Sequence, residues 1–183
     1  QSFDPRISSI NNRLMDLCQV VSNYWQEQLN SDEGKKALDY LIRRGLTEGT
    51  RQEFKLGYAQ ESWDNLLKYL LKKDFTETEI FQAGFTVKKE QGTGYYDRFR
   101  DRVMFPIQDL HGNVVGFTGR AMKDEEMAKY VNTPESPIYH KSRIIYGLDK
   151  AKTAIRSGDY AVVVEGNMDV ITAHQAGSRN VVA

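Results

Sequence analysis

Cysteine is nearly absent: Cys18 is the only one among 183 residues. A single thiol excludes an internal disulfide framework and any cysteine-based zinc site within the chain. The three histidines, His111, His140 and His174, are too dispersed for a histidine zinc site, so no zinc is expected. Long apolar runs are lacking too. No stretch reaches the ~18 residues that a membrane-spanning helix needs, and the N-terminus carries no signal-peptide pattern. Together these absences lead us to expect a soluble cytoplasmic protein with no membrane partner. There is no excess of charge of one sign, with 25 basic and 25 acidic residues. Residues 1–85 carry 11 basic and 13 acidic groups, and residues 86–143 carry 10 and 8. A nucleic-acid surface would therefore have to come from folding that gathers scattered Arg and Lys onto one face. A G-x-S-x-G elbow, a Ser-His-Asp pattern and a phosphate-binding Gly-rich loop are all missing. With 40% hydrophobic residues, the chain has enough to bury a core.

The first 85 residues read as helices. Ile10, Leu14, Leu17, Val21 and Leu29 fall at helical spacing, with Tyr24 and Trp25 on the same face. Ser31 reads as an N-cap followed by Asp32 and Glu33, and Gly45 after Arg43 and Arg44 as the stop of that helix. Ser62 reads as the cap of a helix over 63–72. Thr76 with Glu79 forms a capping box, and Gly84 ends the helix it opens.

From about Thr93 the period changes. Val103, Phe105 and Ile107 alternate with Met104, Pro106 and Gln108 as in a strand, and Pro106 places that strand at an edge or bulge. A turn over 110–113 and a second strand over 114–122 complete a hairpin. Residues 123–147 read as irregular and extended, and 146–157 as a helix closed by Gly158. The apolar run 160–164 is typical of a strand buried on both faces of a parallel sheet. A helix over 168–175, capped by Gly177, and a further strand from Asn180 complete a β-α-β unit that stops in its second strand.

Glu165 follows the first of those strands. Ligands of open α/β sheets bind at the carboxyl ends of strands, and a carboxylate there is a hard-oxygen ligand suited to Mg²⁺. Asp169, four residues on, could face the same cation. A solvated loop Glu and a helix-capping Asp are the structural alternative. Arg98, Arg100 and Arg102 alternate, which in an extended segment puts all three guanidinium groups on one side. An ordinary solvated strand face is the alternative there. Lys129, Lys141 and Arg143 bracket the proline-containing stretch. Tyr95, Tyr96 and Phe99 could stack on bases, although core packing explains them as well.

The motifs taken in order carry a resemblance. Tyr96-Asp97-Arg98-Phe99-Arg100-Asp101-Arg102-Val103-Met104-Phe105-Pro106-Ile107 resembles a signature block of bacterial DnaG-type primases. Gly116-Phe117-Thr118-Gly119-Arg120, Lys129-Tyr130-Val131-Asn132-Thr133-Pro134-Glu135-Ser136, Tyr139-His140-Lys141 and Ile145-Tyr146-Gly147-Leu148 follow in the family's order. Val164-Glu165-Gly166-Asn167-Met168-Asp169-Val170 is similar to the first motif of the Toprim domain that primases share with topoisomerases, with Asn167 in place of the usual tyrosine. Ser142 stands where a glycine is customary.

The resemblance implies an α+β chain. A primase N-terminal subdomain over 1–158, helical to about 85 and β-rich with a small hairpin after it, would be followed over 159–183 by the first β-α-β of a Rossmann-like Toprim domain. It implies a DNA-dependent RNA polymerase making short RNA primers on single-stranded DNA from ribonucleoside triphosphates, with Mg²⁺ or Mn²⁺ as cofactor. Glu165 would be the metal ligand, and Asp169 would join it in the catalytic acidic cluster. Arg44, Arg98, Arg100, Arg120, Lys129, Asn132 and Lys141 would bind template and nucleotide. The family's further Toprim aspartates and its helicase-binding domain would lie beyond Ala183, so the segment alone is expected to be inactive. A Toprim-type topoisomerase or nuclease, and a non-catalytic single-stranded-DNA-binding fragment, are the competing readings.

Overall fold

A computed structural model of the chain describes residues 5–123 and 128–183. It opens with a 25-residue helix, α1 (Pro5–Leu29). Leu14, Leu17, Val21, Trp25 and Leu29 are buried along one face, as the helical spacing requires, while Ile10 is half exposed. Helix α2 (Lys35–Arg43) begins three residues later than the Ser31 cap predicts. Ser31 instead closes a turn, with its Oγ donating to the Gln28 carbonyl at 2.7 Å. Gly45 does end α2: it takes a left-handed φ of 81°, and the Leu46 amide returns to the Leu41 carbonyl.

The short helix α3 (Glu48–Glu53) is capped by Thr47, and strand β1 (Gly57–Ala59) follows it. This strand corrects the all-helical reading of the first 85 residues. Helix α4 (Asn65–Leu71) starts two residues later than predicted. Ser62 accepts from the Asn65 amide at 3.2 Å, and the Asp97 carboxylate caps the first turn. The Thr76–Glu79 capping box is present at the start of α5 (Glu77–Gln82). Strands β2 (Thr86–Lys88) and β3 (Tyr95–Asp97) pair antiparallel, so Gly92 and Gly94 belong to a hairpin connection.

The central sheet has four antiparallel strands in the order β1-β4-β5-β6, with β4 at Arg102–Gln108, β5 at Val114–Ala121 and β6 at Tyr130–Asn132. Strand β4 is internal, yet β1 pairs with it only as far as Met104. Pro106 therefore lies beyond the reach of β1, next to a register shift at Ile107/Gln108, and costs no ladder bond on that side. Both faces of the hairpin are buried. Val103, Phe105, Ile107 and Val115 join one core with α2, with Leu46 and Phe54 on either side of α3, and with the C-terminal unit. Met104, Val114 and Phe117 join the other with α1, α4 and α5. Within that second core Trp25 meets Phe117, Phe99 and Phe85 edge-on at centroid distances of 4.8, 5.6 and 5.8 Å.

A 3₁₀ turn at Lys141–Arg143 leads to α6 (Leu148–Gly158), whose cap is Asp159 rather than Gly158. Then β7 (Val162–Val163), α7 (Asn167–Gln175) and β8 (Val181–Val182) form the β-α-β unit, with β7 and β8 parallel as expected. Strand β8 is buried. Strand β7 is not: Val163 is 77% exposed, and among the described residues no layer covers that face of the two-stranded sheet. His174 is fully buried, with Nε2 at 2.9 Å from the Val181 carbonyl oxygen and the ring edge-on to Phe54. Among the described residues no helix is long and apolar enough to cross a membrane.

Candidate functional site

The sheet, α2 and the β7–α7 junction enclose an open cleft of about 660 Å³. Helix α2 supplies Tyr40 and its C-cap is Arg44, one turn apart on the flank beside the buried Ala37 and Leu41. Strand β5 supplies Thr118 and Arg120. Strand β6 and its approach supply Lys129 and Asn132, and the 3₁₀ turn supplies Lys141. Opposite them stand Glu165, at the end of β7, and Asp169, in the first turn of α7. Ile107, Tyr139, Tyr146 and Met168 add apolar surface to the lining.

Several contacts hold these groups in place. Thr118 Oγ1 donates to Asn132 Oδ1 at 2.8 Å, which leaves the amide NH₂ of Asn132 as a donor. Glu135 organises the 3₁₀ turn: its carboxylate accepts the Lys141 amide at 2.9 Å and stands 3.0 Å from His140 Nδ1. The Lys141 amide and then His140 hold the Glu135 carboxyl below the usual range. The Arg120 guanidinium lies 4.5 Å over the Tyr40 ring, and its Nη1 donates to the Ala121 carbonyl at 3.1 Å. The amide of Gln175 bridges the two walls. Its Nε2 donates to the Gly45 carbonyl at 2.8 Å, and its Oε1 accepts the Thr47 amide at 2.9 Å.

Every predicted site residue except Arg98 and Arg100 lines this cleft. Those two lie elsewhere, and the alternating Arg98, Arg100 and Arg102 do not share a face. Asp101 takes a φ of +48°, which breaks the extended run between Arg100 and Arg102. Arg98 Nε donates to the Gly84 carbonyl at 2.9 Å. Arg100 stacks on Trp63 and Tyr96, 4.2 and 5.3 Å from their ring centroids. Arg102 is buried and donates to the Ala128 carbonyl at 2.9 Å. Phe99 is core, while Tyr95 and Tyr96 are half-buried. Sequence reasoning missed Tyr40 and Thr118. Tyr40 had a signal, since it stands four residues before Arg44 on a predicted helix.

Among the described residues neither Glu165 nor Asp169 spends its carboxylate on a side-chain hydrogen bond or ion pair, and no three metal-ligating side chains cluster. Two exposed carboxylates facing four cations provide separate places for a hard cation and for phosphate oxygens.

The family described as DNA primase catalytic core, N-terminal domain, matches residues 24–152. The chain belongs to the bacterial DnaG-type DNA primases. Among these primases, that of Synechococcus elongatus is 47% identical over 173 residues, which cover 93% of this chain and 25% of that protein. The Deinococcus radiodurans primase is 48% identical over 147 residues, 80% of this chain and 26% of that protein. The chain thus spans about a quarter of the length of these curated relatives. Solved structures agree. The RNA polymerase domain of Mycobacterium tuberculosis primase DnaG, in complex with a double-stranded DNA oligomer with a 6-nucleotide overhang, superposes with a TM-score of 0.89 at 38% identity, over 94% of this chain and 54% of that one. A DnaG primase catalytic domain bound to single-stranded DNA gives 0.88 at 36% identity, over 96% and 54%. The chain is part of a DNA primase.

Proposed function

We propose that this segment supplies the nucleotide- and template-binding cleft of an enzyme that makes short RNA primers on single-stranded DNA, with 159–183 as the start of its Toprim domain. The observation that carries this reading is the convergence of Arg44, Arg120, Lys129 and Lys141 on Glu165 and Asp169 in one cleft. In primer synthesis the 3′-hydroxyl of one ribonucleotide attacks the α-phosphate of the next, and pyrophosphate leaves. The four cations hold phosphate oxygens without reading sequence. The Asn132 amide, fixed by Thr118, donates to a phosphate or a sugar hydroxyl.

The donor set fits Mg²⁺, which takes one or two carboxylates and fills its remaining positions with phosphates and water. Glu165 and Asp169 would hold the ion, and when bound it neutralises charge on the phosphates. Arg98 and Arg100, outside the cleft, would contact template beyond the reacting end. The whole enzyme would act in the cytoplasm at the replication fork, with a replicative helicase as partner through a further domain.

The test uses the full-length enzyme with Mg²⁺ in two arms: single-stranded DNA with labelled ribonucleoside triphosphates, and supercoiled DNA alone. We expect short RNA in the first arm, lost in Glu165→Gln while DNA binding persists. RNA synthesis retained in Glu165→Gln would remove Glu165 from the site. Relaxation or nicking in the second arm without RNA would assign a topoisomerase or nuclease.

A further inference from the structure

Tyr40 is absent from the cationic and acidic set assigned to binding, yet it touches one member of that set. Its ring carries the Arg120 guanidinium at 4.5 Å from the centroid, and both side chains line the cleft. We propose that Tyr40 is a positioning residue that, together with the Nη1 bond to the Ala121 carbonyl, fixes the plane of the Arg120 guanidinium, so that the part of its N–H edge lining the cleft is presented to phosphate oxygens. The inference rests on the primer-synthesis reading for its substrate class.

Ordering a long side chain has a cost in entropy. An arginine side chain carries about 2 kcal/mol of rotamer entropy, which binding must otherwise overcome. An aromatic face takes up the flat face of the guanidinium and leaves the in-plane donors directed outward. Phosphate is bound through those in-plane donors, often two at once. The support works only if the ring itself is rigid. Tyr40 is half-buried against the core that contains Leu41, Leu46 and Phe54. The last turn of its helix is closed by Gly45 and tied by Gln175. Arg120 sits on β5, which is paired on both sides, with β4 and with β6. Both partners therefore stand on fixed elements.

Two kinds of phosphate could meet Arg120: the triphosphate of the incoming nucleotide, or the backbone of the template. The experiment separates them in the full-length enzyme. One arm measures kcat and KM for the ribonucleoside triphosphate at saturating template. The other measures Kd for labelled single-stranded DNA without nucleotide. Tyr40→Leu is expected to raise one of these constants roughly 3- to 10-fold, the range of a partly desolvated cation–π contact, with a smaller effect on kcat. Tyr40→Phe, which keeps the ring and loses only the hydroxyl, is expected to stay within about twofold of wild type. Phenylalanine analogues with one, two and three ring fluorines at position 40 keep the shape and weaken the π face, so the constant should climb stepwise along the series. This series serves if Tyr40→Leu does not fold. In an Arg120→Ala background, Tyr40→Leu should add nothing.

Unchanged constants in both arms would overturn the proposal. So would a flat fluorine series, or a Tyr40→Leu effect that persists without Arg120. A wild-type enzyme that binds DNA but makes no RNA would refute the primer-synthesis reading instead, and the DNA arm would still test the Tyr40 contact.

Discussion

Asp97 is a buried carboxylate at the end of β3, and its two oxygens accept the Leu66 and Leu67 amides at 2.9 and 3.0 Å. It caps α4 from a different part of the chain, which is why the Ser62 cap predicted from local sequence is only part of the start of that helix. Burial outweighs the two amide donors and pushes the carboxyl up to about 6. An unfolded aspartate titrates near 4. Between about pH 4 and 6 the folded chain therefore keeps a proton that the unfolded chain has released. The contribution of Asp97 to stability falls as pH rises through that window and is level above it, by at most roughly 3 kcal/mol. Urea denaturation at pH 4.5, 5.5 and 7 should show this slope, and Asp97→Asn should flatten it. An identical slope in the variant would assign the titration to another group.

At the scale of elements, the sequence was readable wherever the signal was local. The apolar face of α1, the capping box of α5, the hairpin of β4 and β5 and the parallel pairing around α7 all declare themselves within a few residues. Strand β1 does not. It has three residues, all buried, and no alternation to read; its conformation comes from pairing with β4, more than forty residues later. Packing against α1 then fixes which residue can open the strand. A Cβ on Gly57 would stand 2.7 Å from Trp25 Cβ and 2.9 Å from the Trp25 carbonyl carbon, one atom of which belongs to the helix backbone. Gly57→Ala should therefore cost about 1–3 kcal/mol by forcing β1 and α1 apart, read as a lower denaturation midpoint. Wild-type stability in that variant would show that the strand and helix separate freely. The alternating arginines failed for a reason of the same kind, since Asp101 in the left-handed region turns the chain inside the run.

At the scale of the molecule, the cleft joins elements far apart in sequence. Spacing alone could not have assembled Arg44 with Asp169; the ordered family motifs did that, and the fold then separated Arg98 and Arg100 from the rest. The Gln175 amide ties α7 to the connection between α2 and α3, and the Arg179–Glu53 pair at 2.5 Å lies alongside. Gln175→Ala removes two exposed hydrogen bonds and should lower stability by about 1 kcal/mol; no change on thermal denaturation would mean that the cores alone hold the walls together. The tie also has a consequence in time. Its two ends are 130 residues apart, and synthesis adds about 5–20 residues per second, so roughly 7–26 s separate their appearance on the ribosome. The basic wall is made first and waits for the acidic one. The complete cleft can therefore hold nothing until the later of its two walls has been made.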